Sequence, residues 1–278
     1  MDRKLIIIIN FILSSLLYSR GDCLQYAKFD NLGRSIRPTK ETYVTSPSGH
    51  FYIHYDTTGS AAPSLADLDD DKIPDYVEEV ALIADSARHV LVDILGYQQE
   101  PHDGEGGYDI YIVSLGSGQY GYSMSESNGI SYMKIDNDYT GFNSSFNLSP
   151  IQIMRISLGH EYFHSIHWGY EDYLGSNAYF YEMSAMWFED ILIPDGNDYL
   201  DSWADPLLEN PDMIFYQPPD QNKGYCLALY GHYLSSFIDL KGTQNPFNST
   251  IIREVWEKYG STNSVSYTHL TLPTICSV

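Results

Sequence analysis

The stretch HEYFHSIHWGYED, residues 160–172 of the 278-residue chain, places two histidines four positions apart, with a glutamate directly after the first. In a helix this spacing puts His160 and His164 on one face, one turn apart, so both imidazoles can reach a single cation. Glu161 lies about 100° around the helix and borders that cation without binding it. His167 lies about 10 Å along the axis from His160. The stretch therefore predicts a metal-binding helix in which His167 forms hydrogen bonds.

The third protein ligand is expected in the following helical segment, EMSAMWFED, residues 182–190. Its first residue, Glu182, comes far enough after His164 for a loop and a return helix that faces the first helix. Ala185, one turn later, is small and lets the two helices approach. Glu189 lies on the same face, but about 10 Å from Glu182. We expect Glu182 to bind the metal and Glu189 to orient a histidine, and the reverse assignment stays open.

Two neutral imidazoles and one carboxylate are typical of catalytic zinc, because the fourth position stays open for water. Glu161 could then take a proton from the attacking water and pass it to a leaving amine. Negative charge developing on the substrate oxygen needs a further donor. Tyr225 and His232, in the helical stretch KGYCLALYGHYL, are the candidates. The alternative for both is packing against the core.

HExxH followed by Glu-x-x-Ala-x-Trp resembles the gluzincin arrangement of thermolysin-like peptidases. The chain is also similar, over Phe51 to Gly260, to a family of exported bacterial metalloproteases. The stretches that carry this similarity include DKIPDYVEEVA (71–81), YDIYIVSL (108–115), HEYFHSIHWGYED (160–172) and WFEDILIPDGNDYL (187–200). The resemblance implies a zincin-like domain of two lobes. It also implies that ISYMKIDNDY (130–139) is an edge strand on which an extended peptide could add.

Strand patterns come first and helical patterns afterwards, which is typical of the α+β class. HFYIHYD (50–56) alternates apolar and polar residues and predicts a strand, and YDIYIVSL and ISYMKIDNDY predict two more. Helical spacing follows over 76–97 and again from Pro150 onward. We therefore expect an N-terminal mixed sheet with the active-site helix, and a mostly helical C-terminal lobe.

We expect the two ends of the chain to lie outside this domain. Arg3 and Lys4 precede a short apolar run, which predicts a signal peptide over residues 1–21. An uncleaved anchor is the alternative. Residues 265–278 contain VSYTHLTLPT, which looks like translated sequencing adapter rather than native protein, the alternative being a genuine tail. On these grounds we expect a metallopeptidase domain over residues 22–264, truncated relative to the natural protein. We also expect it to be secreted and to have no stable membrane anchor once the signal peptide is removed.

The balance of 15 Lys and Arg against 37 Asp and Glu gives a net charge of −22. This charge disfavours nucleic acid and anionic membrane surfaces as partners. Some of the carboxylates fall in DLDDDKIPDYVE (67–78), whose spacing matches the ligand positions of a calcium-binding loop. The expected calcium ligands are Asp67, Asp69, Asp71, the Ile73 carbonyl, Asp75 and Glu78. Lys72 stands where such loops normally have glycine, and a solvated acidic loop is the alternative.

These patterns together predict a secreted zinc-dependent peptidase, more specifically an endopeptidase, that acts on peptides or proteins. The alternative is a non-catalytic, calcium-stabilised cell-surface or adhesion module that keeps the helix pair as a scaffold. A zinc hydrolase of non-peptide substrates is a third interpretation. Cysteine contributes little to the prediction, since the chain has only Cys23, Cys226 and Cys276 and cannot be a disulfide-built scaffold.

Overall fold

The computed structural model describes residues 23–104, 106–116, 118–142, 148–171, 178–200, 204–209, 224–239, 241 and 245–261. The predicted signal peptide (1–21) and the predicted non-native tail (265–278) lie outside the described residues.

The described chain is a mixed α/β structure, which is compatible with the predicted α+β class. Its six strands are β1 (Leu24–Tyr26), β2 (Thr42–Thr45), β3 (Phe51–Tyr55), β4 (Tyr108–Val113), β5 (Gly121–Ser127) and β6 (Ile130–Asp136). Its six α-helices are α1 (Asp75–Arg88), α2 (Pro150–Tyr170), α3 (Ala178–Leu192), α4 (Asp205–Glu209), α5 (Ala228–Tyr233) and α6 (Ile251–Ser261). The strands all precede α2, so the C-terminal part of the described chain is helical.

The strands form one sheet in the order β1-β5-β6-β4-β3-β2. The β2–β3 and β5–β6 pairs are antiparallel, and the β3–β4, β4–β6 and β1–β5 pairs are parallel. The expectation that residues 130–139 form an edge strand is wrong, because β6 lies between β5 and β4. At this end of the sheet β1 lies outermost and covers β5, neither of which the sequence analysis predicted.

Helix α2 begins at a capping box. The Ser149 hydroxyl accepts a hydrogen bond from the Gln152 amide, the Gln152 side chain accepts one from the Ser149 amide, and Pro150 occupies the first turn. Every residue from Ile156 to Trp168 is buried. The helix packs on the sheet at β5 and β6 and against α1, α3 and α6. It is therefore a central helix whose whole circumference is covered, rather than an amphipathic surface helix.

Helices α2 and α3 approach closely because small residues lie between them. A Cβ atom at Gly159 would stand 2.6 Å from Cδ2 of Leu192, so a larger residue would have to displace the Leu192 side chain. Ala185 on α3 is fully buried. This contact brings the side chains that project from α3 next to those of the HExxH turn.

The helical pattern over 76–97 is present as α1 followed directly by a π-helical segment, His89–Ile94. Within the described residues, no helix combines the length and the apolar character that crossing a membrane requires.

Candidate metal centre

His160 and His164 project from the same side of α2. Their Nε2 atoms are 2.9 Å apart, and their rings meet edge to face with centroids 4.6 Å apart. Both side chains are buried. The i, i+4 spacing in a regular helix is sufficient to produce this convergence.

Helix α3 supplies two carboxylates that contact the histidines on different sides. Glu182 Oε2 lies 3.1 Å from Nε2 of His160 and 3.3 Å from Nε2 of His164. Glu189 Oε1 lies 2.6 Å from Nδ1 of His160. Glu182 thus shares the space toward which both imidazoles point, whereas Glu189 contacts the far nitrogen of one ring.

A cysteine that the sequence analysis did not assign to the site completes this group. Cys23 Sγ lies 3.1 Å from Oε1 of Glu182, 3.3 Å from Nε2 of His164 and 3.5 Å from Nε2 of His160. Its side chain is buried, and it immediately precedes β1. The only hint in the sequence is an unpaired cysteine just after a predicted signal peptide, and this hint does not indicate a partner.

His167 supports the group from behind. Its Nδ1 lies 3.2 Å from Nδ1 of His164, its Nε2 lies 3.1 Å from the Ser184 hydroxyl, and its ring stacks on Trp256 at 4.3 Å. His167 is therefore engaged with His164 and the helical layer and does not point into the cluster, as its seven-residue spacing from His160 predicts.

Glu161 lies beside strand β5. A Cβ atom at Gly121 would stand 2.6 Å from Cγ of Glu161, so a glycine at this position gives the glutamate its room. A pocket opens here, lined by Cys23, Tyr120, Gly121, Ser157, His160, Glu161 and Tyr225. The general-base candidate, one metal-ligand candidate and the end of a strand therefore face one space.

Of the two oxyanion candidates, Tyr225 lies at this pocket and His232 does not line it. The Tyr225 hydroxyl is 3.6 Å from Cys23 Sγ, and its ring centroid is 6.1 Å from that of His160. His232 instead lies with Nε2 3.8 Å from Oδ2 of Asp190 and with its ring 4.8 Å from that of Tyr199. Tyr225 lies in a 3-10 helical segment, Tyr225–Leu227, whereas His232 lies in α5. Because the two segments differ in helical geometry, the two side chains point in different directions.

Burial and mutual charge set the protonation of the cluster. Burial opposes the charged form of His160, but the hydrogen bonds to Glu182 and Glu189 outweigh it and raise its pKa to about 9. Burial lowers the pKa of His164 to about 4. Burial also opposes ionisation of Glu182, yet the neighbouring His164 and His160 hold its pKa below the usual range. These shifts favour a negative charge on Glu182 beside a positive charge on His160, and ligation of a metal by His160 would require the loss of its proton.

Cys23 differs from these groups, because burial, followed by the charges of Glu182 and Glu161, raises the pKa of its thiol well above the ordinary value. A cation in the cluster would reverse this preference, since metal ligation requires the thiolate.

The donor atoms fit a bound metal ion. One ligand atom each from Cys23, His160, His164 and Glu182 lies within 4.8 Å of all the others, and all four residues are buried. Sulfur, imidazole nitrogen and carboxylate oxygen are the ligands that zinc accepts in tetrahedral sites. The buried cluster could therefore hold a metal ion.

The acidic loop brings its carboxylates into two overlapping groups, Asp67, Asp69 and Asp71 in one and Asp69, Asp75 and Glu78 in the other. Within each group one oxygen per residue lies within 4.8 Å of the others. Partial burial, and then the charges of Asp71 and the other aspartates, raises the pKa of Glu78.

Backbone amides also stabilise this loop. Asp67 accepts hydrogen bonds from the amides of Asp70 at 2.8 Å and Lys72 at 2.9 Å, and Asp71 accepts one from Ile73 at 2.8 Å. Lys72 adopts a φ of 79°, the left-handed conformation that glycine takes most readily. Lys72, which stands where calcium loops normally have glycine, therefore has a strained backbone conformation.

Comparisons of this chain with protein-family models, with curated proteins and with solved structures return no match.

Proposed function

We propose that this chain is a secreted zinc-dependent peptidase of gluzincin type with a zincin-like, two-lobed fold. One observation carries the proposal: Glu161, the metal-ligand candidate His160 and the first residue of strand β5, Gly121, line one pocket. Hydrolysis of a peptide bond needs a base, an electrophile and a surface that holds the substrate backbone, and these three features would supply them.

His160, His164 and Glu182 would hold the zinc ion. When bound, zinc would supply a Lewis acid that polarises the scissile carbonyl and lowers the pKa of water. Glu189, at 2.6 Å from Nδ1 of His160, fixes the orientation of that ring and leaves Nε2 directed into the cluster. Such outer contacts make a ligand more basic and hold it in position.

Glu161 would act as general base toward the attacking water and then deliver the proton to the leaving amine. Its side chain is buried and lies against the backbone of Gly121, which limits the positions that its carboxylate can take. Tyr225 lines the same pocket, and its hydroxyl would donate a hydrogen bond to the oxygen that gains negative charge.

The substrate would be an extended peptide that adds to β5. Backbone pairing to an edge strand binds many side-chain sequences, so it suits cleavage inside a polypeptide. In the present structure this edge carries β1, which pairs with β5 from Leu24↔Ser123 to Tyr26↔Ser125. The net charge of −22 disfavours nucleic acid as a substrate.

The acidic loop would bind calcium as a structural ion. It comes directly before α1, whose N-cap is Pro74 and whose first turn includes Asp75 and Glu78. A cation among these carboxylates would relieve their repulsion and fix the entry to the helix.

A second candidate function follows from Cys23. Four protein ligands are the mark of a structural zinc site, whereas a catalytic site keeps one position open. A non-catalytic surface module with a closed zinc site would use the same four residues. The two candidates differ in whether the protein turns over a substrate with the help of Glu161.

The test is cleavage of a diverse peptide mixture by the purified, zinc-loaded protein, read by mass spectrometry. The wild type and Cys23→Ala are compared, each with and without Glu161→Gln and each with and without a chelator. We expect cuts in at least one of the two backgrounds, lost with Glu161→Gln and lost on chelation. Metal analysis should find zinc retained in Glu161→Gln. Folded, zinc-loaded protein that makes no cut in either background would contradict the peptidase proposal.

A further inference from the structure

Strand β1 occupies the edge of the sheet beside the candidate metal centre. The Ser123 amide donates a hydrogen bond of 2.9 Å to the Cys23 carbonyl, and the Ala27 amide donates one of 2.6 Å to the Ser125 carbonyl. These bonds bracket the three parallel pairs of β1 and β5. The N-terminal segment therefore uses the backbone groups of β5 that an added peptide would need.

The same segment places Cys23 in the metal cluster. Because β1 pairs in parallel and Cys23 precedes Leu24, the cysteine falls at the end of β5 that adjoins Gly121 and Glu161. Its sulfur contacts Glu182, His164 and His160 within 3.5 Å. One segment thus contacts the candidate site at two places: β1 pairs with β5, and the Cys23 thiol lies in the metal cluster.

A third contact holds the far end of the segment. Arg37 donates from Nε to Glu126 Oε1 at 2.7 Å and from a terminal nitrogen to Glu126 Oε2 at 2.5 Å, and it also pairs with Asp109 and, at 3.0 Å, with Asp103. Between the anchors, Phe29 and Ser35 form an isolated antiparallel bridge around a turn closed by Asp30 and Arg34. Residues 23–37 thus form a strap, fixed at the cluster by Cys23 and at the sheet by Arg37.

We propose that this strap keeps the peptidase in a latent form, with the Cys23 thiolate as the fourth metal ligand and Leu24–Tyr26 covering the substrate edge of β5. The proposal rests on the proposed function. A fourth protein ligand closes the position that water must occupy, so the strap would block the chemistry as well as the binding of substrate. It would also escape cleavage, since no water reaches the metal while the sulfur is bound. Activation then requires that Cys23 leave the metal and β1 leave β5.

The first experiment reads the ligand without reference to activity. The protein is loaded with Co²⁺ in place of zinc, and the near-ultraviolet absorption that marks a thiolate bound to cobalt is recorded. We expect this band in the wild type, its loss in Cys23→Ser, and its retention in Cys226→Ala. Cys226 is the matched control because it is buried in a separate apolar cluster with Met183 and Leu227. A wild type without the band would overturn the proposal.

The second experiment measures latency. Zinc-loaded Cys23→Ala should cleave the peptide mixture at least about tenfold faster than the wild type. Arg37→Ala should also raise the cleavage rate, because it loosens the strap without changing the metal cluster. This variant tests latency even if Cys23→Ala folds poorly. Equal, Glu161-dependent rates in the wild type and both variants would overturn latency and leave the peptidase proposal standing. No cleavage by any variant would overturn both, and the cobalt spectrum would still report whether Cys23 is a ligand.

Discussion

Glu189 Oε1 lies 2.6 Å from Nδ1 of His160, while Glu182 Oε2 lies 3.1 Å from Nε2 of the same ring. The imidazole is thus held between two carboxylates from one helix, of which only the second faces the cluster. This arrangement separates the ligand from the residue that orients it, and the two roles can be tested apart.

We expect Glu189→Gln to weaken zinc binding about 10- to 100-fold, because loss of an outer carboxylate makes the histidine a poorer and less well-oriented ligand. Competition with a zinc-binding dye gives the affinity. Glu182→Gln, which removes a ligand, should cost more. Glu257→Gln, on exposed surface of α6, is the control and should not change the affinity. An affinity unchanged in Glu189→Gln would contradict the orienting role.

Gly121→Ala should reduce catalysis while it leaves the metal in place. The new methyl group would stand 2.6 Å from Cγ and 3.2 Å from Oε1 of Glu161, so the carboxylate must shift. A misplacement of about 1 Å can cost about 100-fold in rate. The variant is made in the Cys23→Ala background, and the turnover rate is compared with bound zinc. Full turnover would show that Glu161 has more freedom than the contact with Gly121 implies.

Lys72→Gly should stabilise the protein and tighten calcium binding. Lys72 has a φ of 79°, which costs a non-glycine residue about 1 kcal/mol. Lys72→Gln is the matched variant, because it removes the same positive charge and keeps the Cβ. The difference between the two variants in the free energy of unfolding without calcium measures the backbone strain.

Calcium addition should raise the melting temperature of the wild type, and of Lys72→Gly by more, since ligand binding to the folded state stabilises it. A chelator should reverse both shifts. If millimolar calcium leaves every melting temperature unchanged, the loop is a solvated acidic turn.

Asp190 should make the protein less stable as the pH rises through the range of its titration. Burial, and then the charge of Glu189, raises the pKa of Asp190 to about 6. The folded state therefore binds a proton that the unfolded state releases near pH 4, and the free energy of unfolding falls between about pH 4 and 6. Asp190→Asn removes this dependence.

Above pH 6, Asp190→Asn should be more stable than the wild type by about 1 kcal/mol, a figure reduced to allow for the remaining water contact. Below about pH 4 the difference should vanish. Urea unfolding at a series of pH values measures both. The titration of His232 has the opposite effect on the free energy of unfolding. Burial lowers the pKa of His232 to about 4. The stability that neutral His232 contributes is therefore lost as the pH falls from about 6.5 through 4. A constant offset at all pH values would contradict the assignment to Asp190.

The sequence predicts the parts of the site that depend on local spacing. His160, Glu161 and His164 fall within about one helical turn, and Glu182 and Glu189 lie two turns apart on one face of the next helix, so helical geometry alone gives the relative positions within each set. Cys23 could not be predicted in the same way. It lies 159 positions from Glu182, and its place depends on the pairing of β1 with β5.

The sequence does not predict strand β5, for a different physical reason. Its sequence, GYSMSES, is rich in serine and reads as a loop, yet Ser123 and Ser125 are buried. The Ser123 hydroxyl accepts a hydrogen bond of 3.0 Å from the Trp168 indole, which satisfies a polar side chain under α2. Buried serines with such partners break the apolar alternation by which a strand is recognised, and the sequence therefore predicts the sheet edge at β6 instead of β5.

The burial of α2 on every side has a consequence for engineering. All residues from Ile156 to Trp168 are buried, so most substitutions there would alter the packing of the interior as well as the chemistry of the site. The HExxH helix is therefore a poor place to alter substrate preference. A library aimed at new specificity would do better to vary β5 and the loop before it, and leave the helix untouched.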